Sequence, residues 1–138
     1  MNTIADIRNG FTPRRDNPSF WTDGNIPWFT IADKNEQGLF INKTVQHITS
    51  IATTPERIVP ANSVLLCCTA SVGEVAFTNI PLTTNQQFNG ITVKKRYCNS
   101  VDPLYLLFFS FTLKDILKKE LATATTFGFV SVTKVGSI

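Results

Sequence analysis

The stretch "IVPANSVLLCCTASVGEVAFTN", residues 58–79, carries the reading on which the fold depends. Pro60, Ala61 and Asn62 have turn composition, and the run from Val64 to Thr69 behind them is almost continuously apolar. A short apolar run bounded by turn residues reads as a buried strand. "GEVAFTN", residues 73–79, predicts another short strand, which Pro81 ends because proline donates nothing to a strand ladder.

Working outward, "FNGITVKK" (88–95) predicts the next strand, running into a basic turn at Lys94, Lys95 and Arg96. On the N-terminal side, "LFINKTVQHIT" (39–49) reads as a strand kinked at Asn42 and Lys43. "WFTIADK" (28–34) is β-branched and aromatic and also reads as a strand, with a polar turn from Asp33 to Gly38. Gly10, Pro13, Pro18, Gly24 and Pro27 punctuate residues 9–27, which predicts a long structured loop. Phe11, Phe20, Trp21 and Trp28 lie in or beside it, and that many aromatics should pack it against the body of the domain.

One helix is clear, in "DPLYLLFFSFTLKDILKKELA" (102–122). Asp102 suits the N-cap and Pro103 the first helical position. Leu104, Leu107, Phe108, Phe111, Leu117 and Leu121 follow helical spacing, and Lys118 and Lys119 favour the C-terminal end. The tail after it predicts a loop with a short final element beginning near Ser131. Strands and helix are segregated along the chain. The expected class is therefore α+β: a small, twisted, mostly antiparallel β-sheet domain with one main amphipathic helix near the C-terminus.

Composition bounds the function. The 138 residues, 43% of them hydrophobic, suffice for one core, and 17% charged residues exclude a disordered or fibrous chain. A net charge of +3 is compatible with a phosphate-rich partner without demanding one. Three cysteines, two of them adjacent, argue against a disulfide framework and for a reducing compartment. Cys67 and Cys68 should face opposite sides of their strand, and His47 is the single histidine, so no metal site is expected. Asp6 and Arg8 interrupt any signal-peptide core, and "LYLLFF" (104–109) falls far short of the ~20 residues of a membrane span. The expectation is a soluble, cytoplasmic protein without contact to a membrane. No nucleophile–base arrangement, tightly spaced carboxylates with a lysine, or phosphate-binding glycine loop is present, so neither an enzyme nor a cofactor is expected.

Seven segments, in order, carry a family resemblance: "IADIRNGFTPRR", "WTDGNIPWFTIADK", "ITS", "IVPANSVLLCCTASVGEVAFTN", "TTNQQFNGI", "DPLYLLFFS" and "VSVTKVGSI". The pattern combines Gly10, Thr12 and Pro13; Trp28 with Asp33 five residues on; Gly73; and Asn85, Gln86 and Phe88. It resembles the target recognition domain of a type I restriction-modification specificity subunit. The resemblance implies sequence-specific recognition of double-stranded DNA, one half-site per domain, without chemistry of its own. It also implies methyltransferase (M) and restriction (R) subunits as partners, with S-adenosylmethionine used on the methyltransferase. Residues 1–138 would be one recognition domain, lacking the spacer helix and the second reader. The alternatives are a recognition domain of a fused DNA methyltransferase, or a shortened specificity protein that acts mainly by binding or regulating the methyltransferase.

Phosphate contacts call for Lys or Arg, and base readout for Arg, Lys, Asn, Gln or small hydroxyls on projecting loops. Three loops qualify: Arg14, Arg15 and Asn17 behind Pro13; Lys34, Asn35, Gln37 and Lys43; and Lys94, Lys95 and Arg96 beside Tyr97. Each is equally an ordinary solvated loop. The amide cluster Asn85, Gln86, Gln87 and Asn89 looks by itself like an adenine reader. The resemblance reverses this, because a motif shared by proteins that read different targets cannot encode the target. Phe88 is then expected in the core, with Asn85 and Gln86 tying the incoming loop to neighbouring strands, and a DNA-backbone contact left open for Gln87 or Asn89.

Overall fold

The computed structural model describes residues 4–69 and 74–112. A five-stranded sheet runs in the order β1 (Ala5–Asn9), β8 (Phe88–Val93), β5 (Ser63–Cys67), β6 (Val75–Thr78), β3 (Phe40–Ile41). A three-stranded sheet has the order β4 (Gln46–Ile48), β2 (Ile26–Phe29), β7 (Thr83–Thr84). Four of the strand pairs are antiparallel, and β3 with β6 and β2 with β7 are parallel. The α+β, mostly antiparallel expectation holds, with the strands divided between two sheets.

The β5 run shows why. All five of its residues are buried, and alternation sends successive side chains to opposite faces. Val64 and Leu66 join Ala5, Cys68, Val75, Phe77, Ile91, Leu106 and Leu107 in one core. Leu65 and Cys67 join Phe29, Ile41, Val59, Ala76, Leu82 and Phe88 in the other. The large sheet is thus a middle layer. A helix over residues 103–112 covers one face through Leu106 and Leu107. Phe29 of the small sheet and the neighbouring Leu82 cover the other. Cys67 and Cys68 fall on opposite faces, as alternation requires. Burial pushes the Cys68 thiol up to about 12, with the neighbouring Cys67 adding to the shift. The Asn89 side chain donates to the Cys68 Sγ over 3.2 Å and opposes it.

Turn chemistry sets the register. Asn62 takes the left-handed conformation at φ 62° that asparagine tolerates better than most residues. Its N–H donates to the Thr78 carbonyl at 2.7 Å, and the ladder then opens with Ser63 opposite Thr78. Gly90 lies where β8 passes under Val59, since a Cβ there would sit 2.4 Å from a Val59 methyl.

Two stretches differ from the expectation. The strand read over residues 28–34 ends at Phe29, and Ile31–Gln37 form helix α1, which replaces the expected polar turn. Thr30 and Asp33 make a reciprocal capping box, and this local device outweighs the β-branched composition. The kinked strand over 39–49 is two strands in different sheets. Between them the Gln37 side chain, rather than a ladder, satisfies the backbone: Oε1 accepts from Asn42 N at 2.9 Å and Lys43 N at 3.3 Å, and Nε2 donates to the Lys43 carbonyl at 2.8 Å.

The predicted C-terminal helix begins as expected, with Asp102 Oδ1 accepting from Leu104 N at 2.9 Å. Its inward face is Leu106, Leu107 and Ser110, while Leu104, Phe108 and Phe111 of the apolar spacing are exposed. Leu117, Leu121, the two lysines and the element near Ser131 lie outside the described residues. Among the described residues no helix is long and apolar enough to cross a membrane.

Candidate nucleic-acid interface

The loop after β1 is anchored before it projects. Gly10 sits directly against β7 and the turn beyond it, for a Cβ would lie 1.7 Å from the Asn85 carbonyl oxygen. Only a residue without a side chain permits that approach. The Gly10 N–H donates to the Phe88 carbonyl at 3.1 Å and the Phe11 N–H to the Thr84 carbonyl at 2.8 Å. The Thr12 hydroxyl bonds to the Gln86 side-chain oxygen, and Pro13 is buried.

The 83–90 stretch is the receiving half of this joint. The Asn85 N–H donates to the Phe29 carbonyl at 3.1 Å, and its Oδ1 accepts from Gln87 N at 3.1 Å in a tight turn. Phe88 is fully buried, edge-on to Phe29 with ring centroids 4.8 Å apart. Asn89 is buried beside Cys68, and Gln87, half-buried, gives its carbonyl to Cys68 N. The stretch holds the loop where the chain turns.

From this anchor residues 14–21 fold back on themselves. Asn17 caps a single turn of 3-10 helix at Pro18–Phe20, its Oδ1 accepting from Ser19 N at 3.1 Å. The Trp21 indole N–H donates to the Arg14 carbonyl at 3.0 Å and the Trp28 indole N–H to the Phe11 carbonyl at 2.9 Å. The two indoles meet edge to face, 5.2 Å between centroids.

The paired arginines differ sharply in this frame. Arg14 is forked onto Asp16, with contacts of 3.2 and 2.8 Å, and both are exposed. Arg15 lays its guanidinium 3.9 Å from the Trp21 ring centre and 4.9 Å from that of Trp28. Such stacking contributes about 0.5–1 kcal/mol at exposed sites. It engages the face of the group, and Arg15 is exposed with no side-chain hydrogen bond from its edge donors among the described residues. Arg57, which sequence reasoning missed, stands 4.6 Å over the Phe11 ring. Its one signal is position, a lone cation in the short turn between Pro55 and Pro60.

The second candidate loop is carried by α1. Lys34 is paired with Glu74 at 2.6 Å, and Gln37 has both ends of its amide committed to the 42–43 backbone. Asn35 and Lys43 are exposed. Asp33 is buried at 1% exposure, yet its carboxylate is well supplied, accepting from Thr30 N at 3.0 Å and Val45 N at 2.9 Å.

Lys95 and Arg96 are exposed on a 3-10 turn at Lys95–Tyr97, with Arg96 5.1 Å from the Tyr97 ring centre. The Lys94 N–H donates to the Ile4 carbonyl at 2.8 Å, at the start of β1. The Arg15 loop leaves the other end of β1, a strand of five residues, and so starts roughly 16 Å away at about 3.3 Å per residue. The first loop and α1 thus each adjoin β2, and the basic turn lies at the opposite end of the β1–β8 ribbon from the loop. Gly73 lies outside the described residues. Among the described residues no group of three or more His, Cys, Asp or Glu side chains is placed to hold a metal ion.

Comparison with known proteins bears on what this arrangement serves. The family model of the type I restriction modification DNA specificity domain matches residues 2–135. The chain is 31% identical over 132 residues to the type I restriction enzyme EcoprrI specificity subunit of Escherichia coli, covering 96% of the chain and 33% of that protein. It is 33% identical over 130 residues to the MjaIX specificity subunit of Methanocaldococcus jannaschii, covering 92% of the chain and 29% of the relative. The chain thus spans about a third of the length of these relatives. Among solved structures, the HsdS subunit from Thermoanaerobacter tengcongensis superposes with a TM-score of 0.69 at 18% identity, over 98% of this chain and 30% of that one. At that identity the likeness is one of fold. The match of the family model over nearly the whole chain, together with these relatives, shows that the chain belongs to the family of type I restriction modification DNA specificity domains.

Proposed function

We propose that the chain is one target recognition domain of a type I restriction-modification specificity subunit. It reads one half-site in double-stranded DNA and itself carries out no chemistry. In this reading it works in the cytoplasm, in a complex with methyltransferase and restriction subunits, and S-adenosylmethionine is handled by the methyltransferase. The observation that carries the proposal is the Arg15 loop. A base-reading side chain must project, be held in place and keep its donors uncommitted. Arg15 meets all three conditions, stacked on Trp21 and Trp28 in a loop anchored at Gly10.

The other proposed contacts divide by what already engages them. Asn35 and Lys43 on the α1 side and Lys94, Lys95 and Arg96 at the far turn have no side-chain ion pair among the described residues. Arg14 and Lys34 would have to exchange a carboxylate partner for phosphate, and Asn17 and Gln37 would reach DNA only by giving up backbone they now cap. Selection from a random duplex pool tests the proposal. Enrichment of a short consensus is expected, with log affinity falling against log salt by about 0.9 per phosphate contact. Binding with no consensus and no salt dependence, alongside tight capture of a methyltransferase subunit, would replace this reading with that of an interaction partner.

A further inference from the structure

The loops singled out by composition leave Arg57 unassigned, yet it shares one aromatic ridge with Arg15. Phe11 lies beneath the Arg57 guanidinium at 4.6 Å. The Phe11 carbonyl holds the Trp28 indole, and Trp28 with Trp21 holds Arg15. Two cations stand at the two ends of a single hydrogen-bonded and stacked unit. Neither has a carboxylate within ion-pairing distance among the described residues, whereas Arg14 and Lys34 do. The neighbouring Arg8 is held at the edge of the sheet by the Glu56 carbonyl at 3.1 Å and the Thr92 hydroxyl at 3.2 Å, so its donors are partly used.

We infer that Arg57 is a phosphate-binding residue that clamps the DNA backbone beside the base-reading Arg15, with Phe11 as its positioning residue. The inference rests on the DNA-reading proposal above. A guanidinium stacked on a ring is pre-oriented, and its in-plane fork matches the oxygens of a phosphodiester. Glu56, next in the chain, is exposed, and the Thr54 hydroxyl holds its carboxyl below the usual range. That carboxylate makes no ion pair with Arg57 among the described residues, so the Arg57 fork stays open to one directed contact. Phosphate contacts position without reading sequence. The two arginines should accordingly separate in experiment.

The test is duplex binding by the full chain, with the selected consensus and a scrambled duplex, over a range of salt. Arg57→Gln is expected to lower the salt slope by about 0.9 and to weaken both duplexes by the same factor, leaving their ratio unchanged. Phe11→Leu keeps the cation and should keep the slope while weakening both duplexes several-fold. A wild-type slope in Arg57→Gln, or a change in the ratio of the two duplexes, overturns the clamp while leaving the DNA-reading proposal standing. Failure of the wild-type chain to show any salt-dependent duplex binding overturns that proposal and the clamp with it. Thermal melting of Arg57→Gln should fall only slightly, by no more than the loss of one exposed cation–π contact, since the side chain is exposed and ties no backbone.

Discussion

Arg14 and Arg15 are adjacent and chemically identical, and their surroundings make them different. The Asp16 carboxylate neutralises Arg14, whereas Arg15 stacks on the two indoles and has no ion pair among the described residues. Arg15→Ala should therefore reduce binding to the selected consensus by about 1–3 kcal/mol and relax one position of it. Arg14→Ala should change affinity by less and leave the consensus intact. Binding measured on a set of duplexes that vary one position at a time separates the two. Equal losses on every duplex for Arg15→Ala would make it a phosphate contact.

Gly10 shows the same dependence on surroundings from the side of stability. A methyl group at that position would occupy the space of the Asn85 carbonyl, and backbone cannot rotate out of the way as a side chain can. Gly10→Ala should cost at least the ~1–3 kcal/mol of an overpacked site, read as a lower urea midpoint. It should also loosen the Arg15 loop, because the anchor and the loop are the same segment.

At the scale of elements, α1 owes its existence to one side chain. Seven residues are too few to be helical in isolation, since nucleation outweighs so short a run. Asp33 supplies what is missing by receiving two backbone N–H groups, one from the helix start and one from Val45 before β4. Asp33→Asn replaces one acceptor oxygen by a donor and sets it against an N–H. A loss of about 1–3 kcal/mol is expected, together with faster hydrogen exchange in α1 and at Val45. Exchange unchanged at Val45 would show that the link between α1 and β4 is not made by this residue.

The whole molecule is organised by β5, which is covered by the helix on one side and the small sheet on the other. Leu65 and Leu66 are neighbours in sequence and belong to different cores. Each substitution to alanine should cost about 2–5 kcal/mol, and both should lower the midpoint of one cooperative transition, since the strand between the cores is common to them. Leu65→Ala should additionally weaken DNA binding, because its core includes Phe29, which adjoins Trp28 and receives Asn85. Leu66→Ala should not. Two separate unfolding steps would show the layers to be independent.

Much of this is legible in the sequence. The run at 64–69 announced a buried strand because its apolar residues are contiguous, and Asp102-Pro103 announced a helix start because capping is local. The family pattern also marked Gly10, Asn85 and Phe88, which meet at one joint. The α1 helix is not legible in this way, although Thr30 and Asp33 have capping-box spacing, because the β-branched and aromatic residues around them carry strand propensity. Arg57 is not legible in this way because its one signal, a lone cation in a short turn, is common to ordinary surface turns.

Order along the chain sets the class of fold, the strands within 64–69, 73–79 and 88–95, the helix start and the family pattern, since each depends on neighbours along the chain or on a pattern of such neighbours. Tertiary structure alone decided how the strands divide between two sheets, which arginine is free and which is paired, and that Arg15 and Arg57 share a ridge. Those properties depend on contacts between residues far apart in sequence. Coulomb and stacking interactions act over a few ångströms of space, and only the folded chain sets which groups lie that close.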